Sequence, residues 1–442
     1  ALILLLPAWG VACGAPVIKP PDSAPTATPS ATPHPAPTVT LAPTQEPTPA
    51  PGVLYVDAGV GLGAISPLVY DLQEAADSAG ITYLRFPGGN WGDRNDLRGY
   101  QIDQFIALAA RMGAEPSISV RLRGGSAEQA AELVRYANIA NDYAVRYWSI
   151  GNEPELYGDY DTGRYNAEWR AIAEAMLAVD PDIILIGPDV TQFTGNPAID
   201  PRDEAGQDWM RAFLQANGDL VDIVSIHRYP FPTGEGAPAT IDDLRANSRE
   251  WETIIPNLRA VVREETGRDL PVAVTEVNSH WNGATGGEAT PDSLYNAIWW
   301  GDVLGRLIQQ RVEIVAHFAL QSPANIGGWG LLGRYDIRPT YYVYRLYQQF
   351  GTDLVYAASG VEEVSIYAAW RSDGALTMIV VNLGPEDVTA LLQLENFTPG
   401  GAAVWRLDAD HMAEQIGEQR LADGEEVAAP AQSITLYVLP EQ

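Results

Sequence analysis

Cysteine is nearly missing from this chain. Its 442 residues contain one, Cys13, so no disulfide can form within it, which excludes the small cross-linked secreted scaffolds. Lysine is as scarce. Lys19 is the sole example, and 27 basic residues face 57 acidic ones for a formal net charge of −30. Such a surface repels a phosphate backbone and anionic headgroups, so nucleic acid is not an expected partner. No polar-free stretch approaches the roughly 20 residues that span a bilayer. No glycine-rich dinucleotide fingerprint follows the first strand pattern. The five histidines (His34, His227, His280, His317 and His411) are scattered, with no two at ligand spacing on one element, so neither a metal nor a cofactor is expected. What the chain has in quantity is apolar and aromatic: 46% hydrophobic residues, 12 Trp and 20 Tyr. That supply fills a large core and suits a globular protein that works on neutral ligands.

Residues 1–13, from Ala1-Leu-Ile-Leu-Leu-Leu to Val11-Ala-Cys13, read as the apolar stretch of a secretory signal. Val11-Ala12-Cys13 before Gly14 is similar to a lipoprotein processing site, where the cysteine becomes the lipidated end. An ordinary signal peptide containing a cysteine is the alternative. Residues 14–52 hold 12 of the 33 prolines among Thr and Ala, with no apolar periodicity, and predict an extended polyproline linker. At about 3.1 Å per residue such a stalk could reach on the order of 120 Å. Anchor, stalk and folded body together predict an extracellular protein, secreted or held at a surface, whose only link to a membrane is a lipid on Cys13. Oligomeric state has no sequence signature here.

From 53 to 351 the periodicity switches repeatedly between strand and helix. Apolar runs at Ile81–Phe86, Ser117–Arg121, Tyr147–Ile150, Ile183–Ile186, Ile223–Ile226, Val272–Thr275 and Ile314–Phe318 predict seven strands, and an eighth is expected within Val53–Leu72. Amphipathic stretches such as Gln101–Met112 and Ser293–Gln310 lie between them. Eight βα units over some 300 residues predict an α/β fold, a (β/α)8 TIM barrel. After Gly351 the grammar becomes that of hairpins, Ser365–Trp370 with Leu376–Val381 and a last strand at Ser433–Leu439, so 352–442 is expected to be a small C-terminal β-sandwich.

Polar residues at the C-terminal ends of barrel strands face the active site. The fourth strand ends Gly151-Asn-Glu-Pro154 and the seventh ends Thr275-Glu276. Strands four and seven sit on opposite sides of the mouth, so Glu153 and Glu276 are aimed into one cleft. Two facing carboxylates are what glycoside hydrolysis needs: one protonates the leaving oxygen, the other attacks the anomeric carbon or activates water. A lone strand-end Glu is usually a cap or ion-pair partner, but adjacent Asn and Glu where an apolar strand stops serve no packing purpose.

Four motifs in order at successive strand ends, Arg85-Phe-Pro-Gly-Gly-Asn90, Gly151-Asn-Glu-Pro154, Ser225-Ile-His-Arg-Tyr229 and Thr275-Glu276, resemble those of the clan-A retaining glycoside hydrolases. That clan includes α-L-arabinofuranosidases, β-xylosidases, β-glucuronidases and endoglucanases. The resemblance implies Glu153 as acid/base and Glu276 as nucleophile, with Asn152 on the substrate 2-hydroxyl. Arg85 and Tyr229 would hold the nucleophile and His227 would line the floor. Asn90 would complete the substrate-binding set. Trp91, Trp281 and Trp329 follow strand ends and are candidate sugar platforms, Trp281 foremost. Tyr157 and Tyr160 follow the fourth strand in the same way, and Glu155 reads as a loop residue. Many clan members end strand eight in Trp, where this chain has His317-Phe-Ala-Leu. The expected activity is retaining hydrolysis of an extracellular polysaccharide or oligosaccharide, with endo cleavage of a β-glycan preferred. An exo-acting α-L-arabinofuranosidase or β-xylosidase is the alternative, and a non-catalytic carbohydrate-binding surface lipoprotein is the reading from another class.

Overall fold

The computed structural model describes residues 2–3 and 70–440, apart from 233–237, 323–326, 398–399 and 422–423. Cys13 and the proline-rich segment 14–52 lie outside them. Eight parallel strands close a barrel in sequence order: β1 (Leu2–Ile3), β2 (Tyr83–Phe86), β3 (Glu115–Val120), β4 (Tyr147–Ile150), β5 (Ile184–Thr191), β6 (Ile223–Arg228), β7 (Val272–Val277) and β8 (Ile314–Phe318). The first strand differs from expectation. Leu2 pairs with Leu84 on one side and His317 on the other, filling the gap between β2 and β8. A short apolar run suits a leader and a buried parallel strand equally, and length alone does not separate them. Of Val53–Leu72, where that strand was expected, residues 53–69 lie outside the described residues and 70–72 open the helix Tyr70–Ser78.

The other strands form where the sequence is apolar on both faces, because helices cover the outside and side chains fill the inside. β2, β7 and β8 are buried at every position. Polar side chains start four of the crossover helices. Ser126 accepts from the Gln129 N–H, Asp161 from Arg164, Asp208 from Arg211 and Ser293 from Asn296. Helices Gly99–Met112 and Trp251–Thr266 both stop at a left-handed glycine, Gly113 and Gly267. The chain therefore turns back to its next strand at defined points, and the strand ends carrying the motifs all emerge at one face.

Beyond Gly351 follows a six-stranded antiparallel sheet in the order β14 (Met412–Arg420), β13 (Gly401–Leu407), β16 (Ser433–Leu439), β11 (Leu376–Asn382), β10 (Val364–Trp370), β9 (Asp353–Val355). A ribbon of β12 (Val388–Leu391) and β15 (Glu426–Ala429) covers one face over a core of Met378, Val404, Val427 and Tyr437. The other face, through Ile379, Leu436 and Ile434, joins the barrel core against helix Leu294–Gln309. Close approach there depends on glycine. A Cβ on Gly301 would lie 2.2 Å from Ile434, and one on Gly305 would lie 2.3 Å from the Tyr367 ring.

Candidate active site

Arg85, last but one in β2, is fully buried and reaches across the barrel end. Its Nη1 donates to Glu276 Oε1 at 2.7 Å, and its Nη2 donates to Asp189 Oδ2 at 2.9 Å and Asn152 Oδ1 at 3.2 Å. The Gly89 N–H also donates to Glu276 Oε1, at 3.0 Å, and the Tyr229 hydroxyl donates to Oε2 at 2.8 Å. Glu276 is thus held by three donors, one of them a fixed cation, an arrangement that stabilises negative charge on it. Burial, followed by the Glu276 and Glu153 carboxylates, pushes the Tyr229 phenol well above its ordinary range, so it remains a donor.

Glu153 stands opposite, at the end of β4, with left-handed backbone (φ 46°). His227 from β6 lies between the two glutamates. Its Nδ1 is 3.0 Å from Glu153 Oε1 and 3.7 Å from Glu276 Oε2. Burial pulls the imidazole pKa down, but the carboxylates of Glu276, Glu153 and Asp189 outweigh it and raise the value above ordinary. Asn152, between Gly151 and Glu153, is 2% exposed. Its Nδ2 has no protein partner, leaving a buried donor for a ligand hydroxyl.

The structure thus brings Arg85, Asn152, Glu153, His227, Tyr229 and Glu276 together, and sets the remaining candidates around them. Asn90 is exposed at the rim, and Trp91 is half-buried against Phe86. Trp281 is 56% exposed, its indole N–H on the Pro232 carbonyl. Trp329 donates to the His280 carbonyl and stands edge-on to Phe318, centroids 5.6 Å apart. Phe318, at the end of β8, in turn meets Tyr229 edge-on at 6.0 Å, so an aromatic path runs outwards from the hydroxyl partner of Glu276. Tyr157 and Tyr160 are not platforms. Both are buried, Tyr157 binding Asp93 and the Asn152 N–H, and Tyr160 binding Glu168. A tyrosine after a strand reads alike in sequence whether it faces sugar or packs beneath a loop. Glu155 is more than a loop residue, since it accepts from the Thr191 N–H at 2.6 Å and ties the β4 loop to β5. Burial and the nearby Glu153 hold its carboxyl well above the usual range.

Two residues escaped the sequence reading. Asp189 accepts from Arg85, from Ser225 Oγ at 2.5 Å and from Thr275 Oγ1 at 2.5 Å. Asp93, in the turn after Trp91, accepts from Tyr157. As for metals, Glu153, His227 and Glu276 place three possible ligand atoms within 4.8 Å of one another. Glu276 Oε1 accepts from Arg85 and Gly89, Glu276 Oε2 from Tyr229, and Glu153 Oε1 is bonded to His227 Nδ1, while His227 Nε2 has no hydrogen-bond partner.

No family model matches the chain. It is 28% identical over 235 residues to an intracellular exo-α-(1→5)-L-arabinofuranosidase of Streptomyces lividans, covering 43% of this chain and 33% of that one. It is 27% identical over 206 residues to an exo-α-(1→6)-L-arabinofuranosidase of Bifidobacterium longum, 37% and 38% of the two chains. The match therefore spans little more than a third of these relatives' length. Among solved structures, the α-L-arabinofuranosidase of Thermotoga maritima superposes with a TM-score of 0.66 at 18% identity, over 84% of this chain and 90% of that one. A bifunctional glucanase-xylanase from a metagenome library gives 0.66 at 17% identity, over 84% and 94%. The (β/α)8 barrel with an appended antiparallel sheet is the fold of these clan-A glycoside hydrolases, as the strand-end motifs imply.

Proposed function

We propose that this chain is a retaining glycoside hydrolase that removes α-L-arabinofuranosyl groups from chain ends. One observation carries the retaining mechanism: the facing oxygens of Glu153 and Glu276 lie within 4.8 Å of each other, with His227 beside both. That spacing suits carboxyl groups about 5–5.5 Å apart, where one attacks carbon directly, and not the roughly 6.5–9.5 Å that leave room for a water. In the first step Glu153 gives its proton to the leaving oxygen while Glu276 Oε2 or Oε1 bonds to the anomeric carbon. In the second, Glu153 takes a proton from water, which displaces Glu276. Arg85, Gly89 and Tyr229 keep Glu276 oriented between the two steps. The unpartnered Asn152 Nδ2 supplies the donor for a sugar hydroxyl beside the reacting carbon.

The choice of sugar draws on the relatives, whose names say exo-α-L-arabinofuranosidase. It sets the endo-acting β-glycan reading behind its exo alternative. The test combines p-nitrophenyl α-L-arabinofuranoside, β-xyloside and β-glucoside with linear arabinan and xylan. Release of single arabinose units with the anomeric configuration retained in the first product is expected. Loss of about 10⁴-fold or more in kcat is expected for Glu276→Ala. An inverted first product, or activity undiminished in Glu276→Ala, overturns the mechanism. Mixed oligomers from xylan or glucan with no release of arabinose overturn the sugar and the exo mode.

A further inference from the structure

Four strands meet at one carboxylate that the proposed chemistry does not use. Asp189 lies on β5, just past Pro188, and is 2% exposed. Its Oδ2 accepts from Arg85 of β2. Its Oδ1 accepts from Ser225 of β6 and Thr275 of β7, and lies 3.7 Å from His227 Nε2. Asp189's own N–H donates back to Ser225 Oγ at 3.1 Å, so the side chain and its backbone clamp the same hydroxyl. Its backbone is left-handed, φ 59°, an uncommon setting for a non-glycine residue. Neither of its oxygens reaches Glu153 or Glu276 by a direct bond. Glu276 is instead held by Arg85, which Asp189 holds, and Glu153 by His227, whose Nε2 faces Asp189 at charge-contact distance.

We infer that Asp189 is a positioning residue for the catalytic pair: one buried carboxylate that fixes Arg85 against the nucleophile and His227 between the two glutamates. The inference rests on the hydrolytic reading above for its catalytic meaning. During double displacement the negative charge moves from Glu276, when it becomes an ester, to Glu153, when it has given up its proton. A cation midway between them serves both states without moving. His227 occupies that place, facing Glu153 from β4, Asp189 from β5 and Glu276 from β7. Asp189 also faces Arg85 and Tyr83 from β2. Buried as it is, the imidazole would shed its charge without anions around it. Asp189 is the one of the three that never changes its charge in the reaction. Burial opposes ionisation of Asp189 itself, but Arg85, His227, Ser225 and Thr275 together hold it below the usual carboxylate range.

Asp189→Asn is the decisive variant, because the amide keeps the size and can still bond Arg85 through oxygen and the two hydroxyls through nitrogen. With histidine labelled in the ring nitrogens, His227 can be followed by nuclear magnetic resonance as pH rises. The expected result is that His227 loses its proton at lower pH in Asp189→Asn than in the wild type. The alkaline limb of kcat on p-nitrophenyl α-L-arabinofuranoside should move the same way. At the optimum, kcat should fall about ten- to hundredfold with KM little changed. Should Asp189→Asn fail to fold, Ser225→Ala removes one donor competing for Asp189 Oδ1 while the charge stays, and His227 is then expected to keep its proton to a higher pH than in the wild type. An unshifted His227 titration in the variant that folds overturns the inference, whatever happens to kcat. Because the histidine signal is read without turnover, an inactive wild type would sink the hydrolytic reading and leave the assignment of Asp189 to its own result.

Discussion

Asp93 shows how a residue with no sequence signal can be bound into the site. It follows Trp91 in a four-residue turn and accepts a hydrogen bond from Tyr157, whose oxygen also takes the Asn152 N–H at 3.0 Å. The peptide next to Glu153, the proposed acid/base, is thus steadied from below by a tyrosine and an aspartate. Burial, against the opposing effects of Tyr157 and Arg85, pushes the Asp93 carboxyl up to about 7. A carboxyl raised on folding is neutral in both states below about pH 4, so it costs nothing there. As pH climbs towards about 7 only the unfolded chain releases the proton, and the penalty grows, then stays constant above that value. Asp93→Asn keeps the acceptor for Tyr157 and removes the penalty. Its melting temperature should exceed that of the wild type at about pH 8, and the gain should vanish at about pH 4. An equal gain at both values would mean that ionisation is not the cause. At this scale the six residues that meet at the site were legible because each sits in a motif at a strand end. Asp189 was not, since Gly187-Pro188-Asp189 reads as the turn that ends a strand, whereas β5 continues through it to Thr191.

Among the elements, helix Leu294–Gln309 bears most on the joint between barrel and sheet. Twelve of its sixteen residues are buried, because it packs inwards on the barrel and outwards on β10, β11 and β16. Such a helix has no polar face, and its glycines, weak helix formers in isolation, mark where the sheet comes closest. A methyl group at 305 meets the Tyr367 ring, which cannot swing away because its hydroxyl donates to the buried Asp302 at 2.6 Å. Gly305→Ala would gain up to about 1 kcal/mol in helix propensity. Overpacking costs about 1–3 kcal/mol, so the expected net effect is a lower denaturant midpoint with an unchanged slope. A midpoint at or above that of the wild type would show that the sheet shifts to accommodate the methyl. The strands of the barrel were legible for the opposite reason. Runs such as Ile223-Val-Ser-Ile-His and Val272-Ala-Val-Thr are buried on both faces and stand out against amphipathic helices. The two-residue β1 could not be found, because it offers too few positions for any period and lies in a run that reads as a leader.

For the molecule as a whole, the charge imbalance separates stability from catalysis. The net charge of −30 is spread over a surface whose ion pairs, such as Arg135–Glu132 and Arg111–Asp77, are largely exposed. Each such pair contributes at most about 1 kcal/mol, and salt weakens it. The unbalanced acids repel one another over longer distances, and that repulsion is screened first, as the Debye length falls from about 30 Å at 0.01 M to about 10 Å at 0.1 M. Repulsion therefore outweighs the lost pairs, and the melting temperature should rise between about 10 mM and about 200 mM NaCl. The site should not respond. The Arg85 pairs with Glu276 and Asp189 are almost wholly buried, with side chains 1–3% exposed, out of reach of mobile ions. The proposed substrate, a neutral arabinofuranoside, has no charge for the acidic surface to steer or repel. Over the same range kcat/KM on p-nitrophenyl α-L-arabinofuranoside should therefore stay constant. A melting temperature that falls with salt would show that the exposed pairs carry more stability than their number and exposure imply. A kcat/KM that changes with salt while the fold stays intact would show that ions reach the catalytic charges, and the closed, dry arrangement around Arg85 would have to open during turnover.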